Sequence, residues 1–202
     1  MDYYRNSVTQ KSWELLITLK RQYRFVLIGG WAVWFYTRQL KSKDIDVVVE
    51  LAELERLRLA YDLTKNERLK KYEFRQDEVE VDVYTPFYSE LGIPAEEITK
   101  DVRVVEGFHL PAAELLLTLK AVAWEQRRAS PKGRKDWLDI LSLLQLEYLD
   151  KDRMGDWLSR GRLGGLKEKI REAIKGSVAI PELNLNRHQI ARVKTRWLEL
   201  VG

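Results

Sequence analysis

The sequence predicts an α/β fold: a small mixed sheet with flanking helices, followed by a C-terminal helical bundle. Three observations carry this. Through the first half, short β-branched or apolar runs such as FVLI (Phe25 to Ile28) and IDVVV (Ile45 to Val49) alternate with amphipathic stretches. From Pro111 onward the apolar spacing is helical throughout. The chain has 202 residues, 45% hydrophobic and 33% charged, which is globular and long enough to bury a core. The change of character near Phe108 to Pro111 divides it at residues 1–108 and 109–202.

In order, Ser7 or Thr9 is placed to cap a first helix through Trp13, Leu15, Leu16, Leu19 and Tyr23. FVLI is a buried-strand pattern ended by Gly29-Gly30, and a helix comes next over Trp31 to Leu40. A second strand covers Ile45 to Val49, and a charged amphipathic helix runs from Leu51 to about Leu63. Strands at Lys71 to Arg75 and Glu78 to Tyr84 form a hairpin around Gln76-Asp77. The second of these alternates, with Val79, Val81 and Val83 on one face and Glu80, Asp82 and Tyr84 on the other. After a Pro- and Gly-punctuated stretch comes a strand at Val102 to Val105.

Pro111 suits the first turn of a helix reaching Ala129, and a polar link at Ser130 to Gly133 leads to a helix over Lys135 to Leu149. Basic helices occupy Asp152 to Ser159, Leu166 to Lys175 and Arg187 to Leu200. There is no Cys, which excludes disulfides and thiolate metal sites and leaves oxygen ligands. No apolar run reaches the roughly 20 residues that cross a bilayer, and MDYYRNSVTQ lacks the pattern of a secretory signal. A cytoplasmic protein with no membrane association is expected. The net charge of +4 neither requires nor excludes a nucleic-acid partner.

Chemistry concentrates at Asp44 and Asp46. Residues two apart on a strand share a face, and paired like charges call for a cation, for which Mg2+ or Mn2+ suits oxygen donors. Asp82, or Glu80 on the same face, supplies a third carboxylate, and three carboxylates suit a two-metal site. Taken alone, the Asp pair reads as solvated strand-edge charges. Gly29-Gly30, between strand and helix, either brings backbone N–H groups to a phosphate or forms an ordinary turn. Lys120 lies inside the apolar run Leu115 to Trp124, where it implies a nearby phosphate or carboxylate, or snorkels to solvent.

LIGGWAVWFYTRQLKSKDIDVVVE resembles the strand–GG–helix–[ST]-x-D-x-D–strand core of the DNA polymerase beta-like nucleotidyltransferase superfamily, and VEVDVYT its third-carboxylate strand. Gly29-Gly30, where the family often has Gly-Ser, points to the GG-type subgroup that includes abortive-infection nucleotidyltransferase toxins. LLLTLKAVAWEQRRASPKGRKDWLDIL resembles the K-x-x-A-x-x-x-R…K-D-x-x-D-L helical pair of those toxins. The resemblance implies that Gly29, Gly30, Ser42, Lys120 and Arg127 hold a nucleoside triphosphate and that Asp44, Asp46 and Asp82 hold metal. It also places Lys120 and Asp136 among the catalytic residues, with Asp139 a brace for Lys120 or Arg127.

The implied reaction is transfer of a nucleoside monophosphate from the triphosphate to an acceptor hydroxyl, on a tRNA or other RNA 3′ end or on a protein. The rivals are a catalytically idle binding module and a metal-dependent nuclease. Asp136 and Asp139 are expected in the first turn of their helix, where its dipole favours anions. Arg127, Arg128, Lys132, Arg134 and Lys135 form a basic cluster for triphosphate or RNA, or a solvated loop. Arg160, Arg162, Lys167, Lys169, Arg171 and Lys175, then Arg187, Arg192, Lys194 and Arg196, give the last helices a basic tilt. Tyr148 and Trp197 are expected in the core. His109 and His188 are isolated and carry no catalytic role.

Overall fold

The structure, a computed structural model, describes residues 2–161 and 164–202, so Arg162 of the basic tilt lies outside the described residues. Two compact units divide it, Met1–Ala112 and Ala113–Gly202. The division falls after the last strand rather than within it.

In the first unit, α1 (Asp2–Gln22) precedes β1 (Val26–Ile28), α2 (Gly29–Thr37), β2 (Ile45–Val48) and α3 (Leu51–Ala60). Then come β3 (Thr64–Asn66), β4 (Lys71–Gln76), β5 (Val79–Tyr84), the single-turn α4 (Ala95–Ile98), β6 (Val102–Val105) and β7 (Phe108–Pro111). Among the described residues the strands form one seven-stranded mixed sheet in the order β3-β4-β5-β2-β1-β7-β6. The β2–β5 and β1–β7 pairs are parallel and the other neighbours antiparallel. The valines of the alternating strand face inward as expected: Val47, Val81, Val83 and Phe74 line one apolar space with Leu19 of α1 and Leu57 of α3. The acidic residues of the same strands lie on the opposite face.

Several expectations need correction. The first helix starts at Asp2, so Ser7 and Thr9 lie inside it and not at its start. Gly29-Gly30 opens α2 rather than preceding it, and that helix ends at Thr37 with Arg38 in a left-handed conformation. The hairpin turn is Asp77-Glu78, one residue later than expected, with Asp77 at φ 52°. Pro111 ends β7 instead of starting a helix, because Glu106 and Gly107, both at positive φ, turn the chain back onto β6. The edge strand β3 escapes a hydrophobicity reading because its residues are polar and mostly exposed.

The second unit is wholly helical: α5 (Ala113–Gln126), α6 (Pro131–Leu144), α7 (Lys151–Arg160), α8 (Leu166–Gly176), a 3₁₀ turn at Pro181–Leu183, and α9 (Arg187–Val201). The polar link before α6 is its cap. Ser130 Oγ accepts from the Gly133 N–H at 3.0 Å and Pro131 takes the first position, where its missing N–H is no loss. Asp136 and Asp139 therefore lie beyond the first turn, and the helix-dipole account of them fails. Trp197 is buried as expected, but Tyr148 is exposed, standing after α6 ends at Leu144. No described helix is long and apolar enough to cross a membrane.

Removing the α6 cap isolates one hydrogen bond at a known place. Ser130→Ala should lower unfolding free energy by about 1 kcal/mol, the usual worth of a Ser N-cap. The check is a shifted urea midpoint with an unchanged slope; an unshifted midpoint refutes the capping role.

Candidate active site

Strand register builds the site. Ile28 of β1 stands opposite Asp46 of β2, Asp46 opposite Asp82 of β5, and Asp82 opposite Glu73 of β4. Because partners across a ladder share a face, three neighbouring strands present Asp46, Asp82 and Glu73 in one row. Asp44 lies in a bend just before β2, outside the strand on which it was expected, and its charge is close enough to act on Asp82. Glu80 sits on the same face but pairs with Arg75, beyond the β2–β5 register. Among the candidates for third carboxylate, register thus puts Asp82, and not Glu80, beside Asp46.

The glycine pair is fitted to this row. Gly29 has φ 66°, and a Cβ built on it meets Asp46 Oδ2 at 2.1 Å, so only glycine lets the carboxylate lie over the start of α2. Ile28 gives that helix no side-chain cap, and its first turn holds no acidic residue. Trp31 anchors the helix against α1: it is buried and its Nε1–H donates to Ser12 Oγ at 2.8 Å. Trp13 packs on it at 5.3 Å between ring centroids. Ser42 is buried in the loop ahead of β2.

The sequence reading missed the next member. Lys71 Nζ lies 2.6 Å from Asp82 Oδ1 and 2.9 Å from Glu73 Oε2, and the side chain is nearly buried. Burial is the largest influence on this ammonium and works to lower its pKa; hydrogen bonds to Asp82 and then Glu73 outweigh it and leave the value raised. Burial pushes the Asp82 carboxyl above its ordinary value, against the pull of Lys71, and Glu73 and Asp44 add to the rise. Glu73 is lowered, chiefly by its hydrogen bond to Lys71. The signal was present in the hairpin, whose alternation already puts Lys71 on the face of Asp82.

Among the described residues no three His, Asp or Glu side chains are placed to hold one metal ion. The donor chemistry at the start of β2 still fits a hard divalent ion. Mg2+ takes one or two carboxylates and fills its remaining positions with waters and phosphate oxygens, and Asp44 and Asp46 supply such a pair.

The second unit holds the other predicted residues in a group of its own. Lys120 Nζ is 3.3 Å from Asp136 Oδ1 and 2.8 Å from Asp139 Oδ2. Lys120, Asp136 and Asp139 are all buried, so Lys120 does not snorkel; carboxylates meet it. Arg127 Nε donates to Asp136 Oδ2 at 2.7 Å, and Lys135 reaches Asp139 Oδ2 at 3.2 Å. Lys120 of α5 and Arg127 just after it thus tie that helix to the two carboxylates of α6, while Lys135 adds a pair within α6.

No protein-family model and no curated protein matches the chain. Among solved structures it is similar to an antigenic nucleotidyltransferase-like protein from Paracoccidioides brasiliensis. That match has a TM-score of 0.51 and 14% identity over 95% of this chain and 93% of the other. The likeness is one of fold. Two Helicobacter pylori proteins also align, at 18% and 17% identity over 90% of this chain and 84% and 82% of theirs, with TM-scores of 0.43 and 0.42. Those two add nothing to the fold assignment.

Two substitutions probe the two groups. Gly29→Ala should lower stability by about 1–3 kcal/mol, the range for a non-glycine residue held in a sparsely populated conformation, with Asp46 displaced as well. A melting temperature equal to wild type contradicts the close fit. Lys120→Met should lower stability by about 3 kcal/mol, the low end for breaking a buried pair, since each carboxylate keeps a second cation. Denaturant unfolding measures this, and unchanged or increased stability refutes the internal ion network.

Proposed function

We propose that the protein is a metal-dependent nucleotidyltransferase, acting in the cytoplasm. The oxygen of an acceptor hydroxyl bonds to the α-phosphorus of a nucleoside triphosphate while its proton passes to water, and the bond from that phosphorus to the bridging oxygen breaks to release pyrophosphate. The observation that carries this reading is the register of Asp46 with Asp82, with the Asp46 carboxylate lying over the first residue of α2. Carboxylates for a cation and a helix N-terminus for phosphate oxygens then meet at one place.

In this reading Asp44 and Asp46 hold Mg2+ or Mn2+, with Asp82 beside them. The ion, when bound, offsets phosphate charge and polarises the phosphoryl oxygens. The backbone N–H groups of Gly29 and Gly30 orient the triphosphate, and the sequence resemblance assigns Ser42, buried in the loop ahead of β2, to the same task. Arg127 and Lys120, which the sequence resemblance assigns to nucleotide binding and catalysis, act through the α5–α6 ion network that also contains Asp136. The resemblance to GG-type, abortive-infection enzymes extends the proposal to a toxin–antitoxin setting, with an RNA or tRNA 3′ end or a protein side chain as acceptor.

Labelled nucleoside triphosphates, tried across the four bases with RNA and protein acceptors, test the reaction. Label incorporation means transfer, whereas shortened RNA means hydrolysis and a nuclease. Asp44→Asn and Asp46→Asn should each abolish incorporation while leaving metal-free melting unchanged or raised, because each relieves like-charge repulsion. Magnesium and triphosphate together should stabilise the wild type more than either alone, by roughly 2.7 kcal/mol at about 100 times the dissociation constant. Melting curves that ignore every triphosphate with either metal sink the assignment.

A further inference from the structure

Lys71 is a buried cation on the acidic face of the first unit's sheet, and the proposed transfer reaction gives it no part. Its ammonium lies against Oδ1 of Asp82, the carboxylate a second divalent ion would need, and simultaneously against Glu73 Oε2. We propose that Lys71 occupies the place of the second cation, so that the site works with one divalent ion on Asp44 and Asp46 and a lysine at Asp82. The proposal rests on the reading of Asp44 and Asp46 as metal ligands and deepens it.

Charge and geometry both favour this. Asp46, Asp82 and Glu73 share one face of three adjacent strands, the charge of Asp44 also acts on Asp82, and like charges so placed require compensation. Lys71 is covalently fixed two residues from Glu73 on the same strand, so its charge arrives with the fold and not with a ligand. An ammonium is a compact point charge with three donors. Asp82 and Glu73 take two of these, and the third is left for a substrate phosphate oxygen. Charge neutralisation at a phosphoryl oxygen is what the second ion supplies in two-ion sites.

The Lys71 side chain is about one-tenth exposed and its ammonium is in hydrogen-bond contact with both carboxylates. A divalent ion reaching Asp82 must therefore displace a charge-assisted hydrogen bond, not water alone.

Manganese binding to the full chain, counted by electron paramagnetic resonance and by titration calorimetry, decides the matter without reference to turnover. The wild type should bind one ion per chain, and Asp46→Asn should lose it. Lys71→Met should gain a second ion, bound at least about tenfold more tightly than any second ion in the wild type, a step within the usual range for changing a ligand's outer partner. Adding Asp82→Asn to Lys71→Met should remove that gain. Lys71→Gln provides the same count if Lys71→Met does not fold, and the wild-type stoichiometry needs no variant at all. Two ions in the wild type, or one in a folded Lys71→Met or Lys71→Gln protein, overturn the proposal while leaving the metal-site reading standing. No manganese bound by the wild type or any Lys71 variant overturns that reading and this proposal with it.

Discussion

The parallel register of β2 with β5 is the constraint on which the rest of the first unit turns. Side chains alternate along a strand, so one pairing sends Ile45, Val47, Val81 and Val83 to the core while Asp46 and Asp82 meet on the opposite face. A slip of one residue would bury the aspartates and expose the valines, which makes the register strongly specified. The hydrophobic face therefore determines where the carboxylates meet, although they contribute nothing to the driving force. Their repulsion is the penalty of that arrangement, and Lys71 is the counter-charge that the fold itself provides.

The same register dictates the sequence at the end of β1. Ile28 pairs with Asp46, so the next residue must pass beneath an aspartate side chain while the backbone turns from strand into helix. Gly29 meets both demands, having no Cβ to strike Asp46 and no penalty at positive φ. Trp31 then fixes the helix from its other side, through Ser12 and the neighbouring rings of Trp13 and Trp34. The large aromatic after the glycines thus serves the placement of α2 and, through it, of the N–H groups at its start.

Much of this was legible in the sequence because it rests on local periodicity. Alternation in VEVDVY gave the face of Asp82 and the glycine pair marked the strand-to-helix junction, whereas Asp44, expected on a strand with Asp46, lies in a bend before β2 where strand alternation does not fix its face. What escaped depends on partners distant in sequence or on chemistry that hydrophobicity does not report. The polar edge strand β3 has no apolar alternation, and β7 hides behind a turn at Glu106-Gly107 that looks like any charged loop. Lys71 and Glu73 were seen as strand residues, but their meaning appears only once the hairpin sets them across from Asp82. Ser130 was read as a linker because a cap and a loop are composed alike; its Oγ–Gly133 bond tells them apart.

The helical unit shows why a count of basic residues is a poor guide to a nucleic-acid partner. Lys194 donates to the Lys175 carbonyl at 2.8 Å, Arg171 to the Leu198 carbonyl at 2.8 Å, and Arg196 to the Leu146 carbonyl at 2.6 Å. Each is a carbonyl of a helix's last turns or the residues just past it, where hydrogen-bond partners within the helix run out and a cation is favoured by the dipole. Arg134 forks onto Glu182, Lys169 reaches Glu125, and Arg127 and Lys135 hold the buried aspartates of α6. Phosphate binding draws on cations that release counterions when they meet the backbone, and a guanidinium already bonded to a carbonyl or carboxylate has less to offer. Several of the cations of this half are therefore already engaged by carbonyls and carboxylates of the unit itself.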